Sequence, residues 1–349
     1  MIISMLKGAD ERQIREVVEE VKEKGLSTNI NWGEERTVIA VIGVVDYDED
    51  FMSHLIALDG VEDVKLISAP YKLAAREYGN GSSIDVEAKI NNKIVKVRFG
   101  GQEVVIIVGP CSIESYEQMD ITVRCLKALG LKIIRGSAFK PRTAPRCFEG
   151  LGEKGLEILA TMRSKYEVLT VNEIMDTSDA KLFNDYQVDV LQVGTRNMQN
   201  FRLLDMVGEM GKPVILKRGL CSTYKEWLLA AERILDRQKK KRVILCERGI
   251  RTFETYTRNT LDLNAVPVIK DLSWLPIIID PSHGTGKAEY VPAVSKGALA
   301  AGADGLIIEA HPNPQEALTD GDQSLFLTAL ETLLGDLRKI AKAIGRKIA

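Results

Sequence analysis

Six residues able to ligate a metal or move a proton stand at or just beyond the ends of apolar runs. Cys111 follows VVIIVG, Asp280 and His283 follow PIII, Glu309 and His311 end GLIIEAH, and Asp320 lies in the segment beyond. A thiolate, an imidazole and two carboxylates drawn from such a set suit a borderline or harder divalent metal, because sulfur, nitrogen and oxygen donors then share one shell. The residues run from position 111 to position 320, so this is no local zinc motif. Singly, each has a plainer reading: Cys111 as a buried structural thiol, His283 as a satisfied polar group, the acids as solvated loop charge. What favours a site is that all of them share one rim.

A second set is basic. Arg135, Lys140 and Arg142 follow one apolar run, Arg196 another, and Lys217, Arg218 and Arg248 end two more. A cation at the end of a buried strand is costly unless paired, and Glu173 and Glu247 are few acids for so many cations. Guanidinium forks match phosphate and carboxylate oxygens, so the set predicts a compact polyanionic ligand.

The elements that must carry these residues are legible as strands. VVIIVG, KIIRGSA, VLTVNE, VDVLQVG, PVILKRG, RVILCERG, PIIIDPSH and GLIIEAHP are each separated from the next by a segment with helical patterning. Eight β/α units in roughly 250 residues predict a closed (β/α)₈ TIM barrel, whose active sites form at the C-terminal ends of the strands. Closure would make strands seven, eight and one neighbours.

Ahead of the barrel, residues 1–70 read as β-α-β-β-α-β, an α+β ferredoxin-like order. Met1 to Leu6 is a strand. Ile14, Val17, Val18 and Val21 form one helical stripe stopped by Gly25, Thr37 to Val45 is a strand, Phe51 to Leu58 a helix, and Val61 to Ser68 the closing strand. Residues 71–101 read as a linker with a short hairpin around Asn91-Asn92, and residues 102–349 as the catalytic barrel.

Composition excludes several classes. The 349 residues carry 47 basic and 49 acidic side chains, which gives no basis for a nucleic-acid or membrane-surface partner. Five cysteines without close spacing predict reduced thiols, and neither a signal sequence nor a long apolar run occurs, so a cytoplasmic location is expected.

Seven ordered motifs then carry a resemblance: GPCSIES at 109–115, RGSAFKPRT at 135–143, LGEKGL at 151–156, QVGTRNMQN at 192–200, LKRG at 216–219, CERGIRTFE at 246–254 and DPSHGTG at 280–286. The chain resembles 3-deoxy-D-arabino-heptulosonate 7-phosphate (DAHP) synthase of the type I beta subgroup, whose members carry an N-terminal ferredoxin-like regulatory domain. The resemblance implies condensation of phosphoenolpyruvate with erythrose 4-phosphate, the first step of the shikimate pathway. It implies Cys111, His283, Glu309 and Asp320 as ligands of one divalent ion, with manganese, iron, cobalt, zinc or cadmium as candidates. Arg135, Lys140, Arg196, Lys217 and Arg248 would bind phosphoenolpyruvate. Lys140, Pro141, Arg142 and Thr143 would bind erythrose 4-phosphate, and Lys140, Glu173 and His283 would serve catalysis. It further implies an aromatic amino acid effector, tyrosine or phenylalanine, and a homotetramer. Ser137 and Phe139 stand where family members often show Gly and Tyr.

The related 3-deoxy-D-manno-octulosonate 8-phosphate synthase is the alternative. It usually reads K-A-N-R where this chain reads K-P-R-T, and its metal-independent form carries Asn where this chain has Cys111. A metal-dependent true aldolase would gather several histidines, and only His54, His283 and His311 occur. A non-catalytic phosphosugar sensor would have no use for a Cys, His, Glu and Asp set.

Overall fold

The computed structural model describes residues 1–349 apart from 34–35, 44–48, 67–69, 80, 82 and 142–145. The chain divides into two compact units, Met1–Lys72 and Leu73–Ala349.

In the smaller unit, β1 (Ile2–Met5), α1 (Glu11–Glu23), β2 (Ser27–Trp32), β3 (Thr37–Ile42), α2 (Glu49–Ile56) and β4 (Val61–Lys65) follow in that order. The sheet order is β2-β3-β1-β4, with every pair antiparallel, which is the ferredoxin-like arrangement expected. Helix α1 starts at a capping box between Asp10 and Gln13 and buries Ile14, Val17, Val18 and Val21. These four pack with Ile3, Met5, Ile39, Val41, Phe51 and Leu55 as one core. Strands β3 and β4 end earlier than the sequence patterning suggested, and residues 44–45 and 67–68 of those readings lie outside the described residues.

The larger unit begins with a segment read from sequence as linker. Leu73 and Ala74 donate backbone hydrogen bonds to Glu232 at 2.9 and 2.7 Å, and the Trp274 indole donates to the Leu73 carbonyl at 2.7 Å. The segment is thus docked on the barrel wall and belongs to this unit. The hairpin follows as β5 (Ile84–Ile90) and β6 (Lys93–Phe99), turning at Asn91 and Asn92 with φ of 47° and 66°. Two consecutive positive φ values make the mirror-image turn that matches strand twist, and asparagine tolerates them.

Eight parallel strands then close a barrel: β7 (Glu103–Gly109), β8 (Ile133–Arg135), β9 (Leu169–Ile174), β10 (Val190–Val193), β11 (Val214–Lys217), β12 (Val243–Glu247), β13 (Ile277–Ile279) and β14 (Gly305–His311). Closure is made by β14 against β7, from Gly305↔Val105 to Glu309↔Gly109. The strands are buried almost throughout, because helices cover the outer face and side chains fill the interior. Among the covering helices are α3 (Tyr116–Ala128), α4 (Glu153–Tyr166), α6 (Phe201–Glu209), α7 (Tyr224–Arg237) and α11 (Leu327–Ala343), with α5 (Ala180–Asp185) shorter. The long connection after β12 runs irregularly before α8 (Ala265–Leu272), and β13 leads directly into the short α9 (Pro281–Thr285) before α10 (Val291–Ala300). Among the described residues no helix is long and apolar enough to cross a membrane.

Candidate active site

The closure of β14 on β7 decides the site, since it places the ends of β13, β14 and β7 side by side. Cys111 follows β7 at a point where backbones crowd: a Cβ added at Gly109 would lie 1.9 Å from the Arg135 carbonyl oxygen. Glycine there lets β7 and β8 deliver Cys111 and Arg135 together. One donor atom each from Cys111, His283, Glu309 and Asp320 lies within 4.8 Å of all the others. Cys111 Sγ donates to Asp320 Oδ2 at 3.0 Å, and His283 Nε2 stands 3.5 Å from Glu309 Oε1 and 3.8 Å from Asp320 Oδ2. Burial first, and the Glu309 charge second, push the Cys111 thiol up to about 12. Two carboxylates and a sulfur this close repel one another as anions, so the donor set fits a divalent cation.

His283 is aimed by Asp280. The Asp280 carboxylate caps α9 by accepting the His283 backbone N–H at 2.9 Å, and it lies 2.8 Å from ring Nδ1, leaving Nε2 toward the cluster. Burial lowers the His283 pKa despite that carboxylate, so the ring is neutral and able to donate a lone pair at pH 7. His311, expected near the same rim, pairs instead with Glu114 at 3.3 Å and is not in the quartet.

A cavity of about 370 Å³ opens over these groups and is lined by His283, Asp320, Arg135, Lys140, Pro141, Glu173, Arg196, Lys217 and Arg248. Arg135 Nη1 pairs with Glu309 Oε1 at 3.1 Å, Lys140 Nζ with Glu173 at 3.6 Å, and Lys217 Nζ with Asp280 at 2.5 Å. Burial alone would depress Lys140, but the charge of Cys111 once it is a thiolate and that of the Glu173 carboxylate hold it above the usual lysine value, so it stays an ammonium. Arg248 is buried, makes only a 3.4 Å hydrogen bond to the Gly249 carbonyl among its described contacts, and has its pKa lowered by desolvation. A buried guanidinium so poorly satisfied is built to meet an anion.

Arg218 departs from the sequence grouping. It pairs with Glu247 at 3.0 Å and Asp262 at 2.9 Å, lies over the Tyr224 ring, and does not line the cavity. Strand alternation is the reason: Lys217 and Arg218 are consecutive and point to opposite faces, as do Arg248 and Glu247. Arg142 and Thr143 lie outside the described residues. Sequence reasoning missed Gln192, Thr195, Asn197, Cys147, Arg251, Arg258 and Asn259, which also line the cavity. Gln192, Thr195 and Asn197 lie in QVGTRNMQN, and Arg251 lies in CERGIRTFE, so motif membership was a usable signal for those four. Arg258 and Asn259 sit in an irregular loop with none.

The family model for the DAHP synthetase I family matches residues 83–345. The chain belongs to that family. A second model, the DAHP synthase ferredoxin-like domain, matches residues 1–69 of this family member. The phospho-2-dehydro-3-deoxyheptonate aldolase of Thermotoga maritima is 44% identical over 350 residues, covering 100% of both chains. The crystal structure of the DAHP synthase from that organism superposes with a TM-score of 0.89 at 43% identity, covering 100% of this chain and 99% of the other. The 2-dehydro-3-deoxyphosphooctonate aldolase of Desulfotalea psychrophila is more distant, 31% identical over 70% of this chain and 92% of its own. DAHP synthases are metal-dependent, and the quartet is a group of four donors that could hold a metal ion.

Proposed function

We propose that this chain condenses phosphoenolpyruvate with erythrose 4-phosphate and water to give DAHP and inorganic phosphate, the entry step of the shikimate pathway to aromatic amino acids. The observation that carries the reading is a single cavity lined by His283 and Asp320 of the Cys, His, Glu and Asp quartet together with Arg135, Lys140, Lys217 and Arg248. Cys111, His283, Glu309 and Asp320 hold one divalent ion, whose chemistry when bound is polarisation of the sugar aldehyde.

Arg135, Lys140, Arg196, Lys217 and Arg248 hold the carboxylate and phosphate of phosphoenolpyruvate, while Lys140, Pro141, Arg142 and Thr143 receive erythrose 4-phosphate. The enol carbon attacks the aldehyde carbon, and the electron deficit moves to the enol-ether carbon. Lys140, kept as an ammonium, gives its proton to the new hydroxyl. Water adds at the electron-poor carbon, with Glu173 or His283 orienting it, and its proton passes to the Lys140 amine, which restores the ammonium. The resulting hemiketal phosphate loses phosphate by carbon–oxygen cleavage, and the fixed cations stabilise the departing anion.

Residues 1 to about 70 regulate this barrel in response to tyrosine or phenylalanine, in a cytoplasmic homotetramer. The support is a ferredoxin-like unit complete in itself, ahead of a barrel that already has its eight strands. The deciding experiment measures phosphate release from phosphoenolpyruvate with erythrose 4-phosphate or with arabinose 5-phosphate, before and after chelation. Release with the four-carbon sugar, lost on chelation and restored by metal, is expected. Preference for arabinose 5-phosphate would assign the octulosonate chemistry instead.

A further inference from the structure

Glu309 and Asp320 share an asymmetry. Glu309 Oε2 accepts a hydrogen bond from Gln323 Nε2 at 2.7 Å. Its Oε1 makes no hydrogen bond among the described residues; it is ion-paired with Arg135 Nη1 at 3.1 Å and faces His283 Nε2 at 3.5 Å. Asp320 Oδ1 accepts from Arg258 Nη1 at 3.1 Å, while Oδ2 faces Cys111 and His283. The same Arg258 nitrogen donates to Gln323 Oε1 at 2.7 Å. One amide and one guanidinium thereby join the outer oxygens of both carboxylates in a chain.

The polarity of this chain leaves one arrangement. A carboxylate only accepts and a guanidinium only donates, so the Gln323 amide must turn its nitrogen to Glu309 and its oxygen to Arg258. Gln323 is 2% exposed and does not line the cavity. A carboxylate with both oxygens free readily swings to grip a divalent cation with both. Catalytic metal sites, unlike structural ones, keep their shell open for substrate.

We propose that Gln323 and Arg258 are positioning residues that hold Glu309 and Asp320 to one oxygen each toward the metal, so that the quartet does not fill the shell. This rests on the metal ligation proposed above. Neither residue acts on substrate in this role; each works through the carboxylate it holds.

The test uses the full-length protein loaded with cobalt(II), whose ligand-field absorption is strong in four- or five-coordinate sites and weak in six-coordinate ones. Gln323→Met fills the same space without a donor or acceptor. Its ligand-field bands should fall by at least about twofold as Glu309 takes up a second contact, while the thiolate-to-cobalt charge-transfer band persists. The kcat should fall with the KM for phosphoenolpyruvate little changed. Arg258→Met, at a side chain 39% exposed and so tolerant of change, should lower the same bands through Asp320. Spectra and cobalt affinities of both variants that overlay the wild type would overturn the inference and leave the ligation reading intact. Wild-type protein without a thiolate-to-cobalt band, or a band that survives in Cys111→Ala, would overturn both.

Discussion

Asp280 contacts His283 twice, accepting its backbone N–H at 2.9 Å and lying 2.8 Å from its ring Nδ1. The first contact caps α9 and the second sets a carboxylate charge beside ring Nδ1, which favours the proton on that nitrogen, so one carboxylate biases both the position and the tautomer of a proposed ligand. Asp280→Asn keeps an oxygen for the cap but loses the charge that orients the ring and balances Lys217. Metal affinity should weaken roughly ten- to a hundredfold, as for other outer partners of ligating histidines. Competition titration with a chromophoric chelator measures this, and an unchanged affinity would count against the assignment.

Metal binding should release a proton. Burial and Glu309 raise the Cys111 thiol to about 12, so at neutral pH it enters the reaction protonated, whereas ligation requires the thiolate. The sign follows: acid opposes binding, and the apparent affinity should fall about tenfold for each unit of pH lost through this one proton. His283, with its pKa lowered, adds nothing near neutrality. Titration of zinc into weakly buffered protein should liberate about one proton per site, and Cys111→Ala should lose both that proton and tight binding. Tight binding without proton uptake or release would remove Cys111 from the ligand set.

The two anion sites should separate by mutation. Arg248 is buried without a carboxylate partner among the described residues, so Arg248→Ala removes a contact that phosphoenolpyruvate would satisfy. A charged, two-pronged hydrogen bond is worth on the order of 2–3 kcal/mol, so the KM for phosphoenolpyruvate should rise roughly thirtyfold or more. Arg142→Ala should raise the KM for erythrose 4-phosphate instead. Steady-state kinetics with each substrate varied in turn will show a crossed pattern if the pockets are swapped.

Removal of the N-terminal unit should leave catalysis and abolish feedback. A chain beginning at Leu73 keeps the bonds of residues 73 and 74 to Glu232 and of Trp274 to Leu73, which one beginning at Ser82 would lose. The longer chain should therefore melt higher, since each such bond contributes about 1 kcal/mol. Full-length enzyme should be inhibited by tyrosine or phenylalanine through a coupling of about 1–3 kcal/mol, and the Leu73 chain by neither. Equal inhibition of both chains would end the regulatory reading.

Sequence by itself determined what local pattern can encode. Eight apolar runs between helical segments implied a barrel, and the Ile14, Val17, Val18 and Val21 stripe implied α1. The position of Cys111, His283 and Glu309 at or just past strand ends implied a common rim. Each of these follows from burial and periodicity within a few residues of chain. The tertiary structure decided what depends on facing and on loops. Lys217 enters the cavity while Arg218 turns to Glu247, because neighbouring strand residues face opposite ways and register sets which one faces in. Asp320 reaches the quartet from a loop, with φ of 50°, Arg258 reaches Asp320 from an irregular segment, and Gln323 reaches Glu309 from a single 3-10 turn too short to show periodicity. Those contacts exist only because β14 closes on β7, which brings together parts of the chain that no local pattern relates.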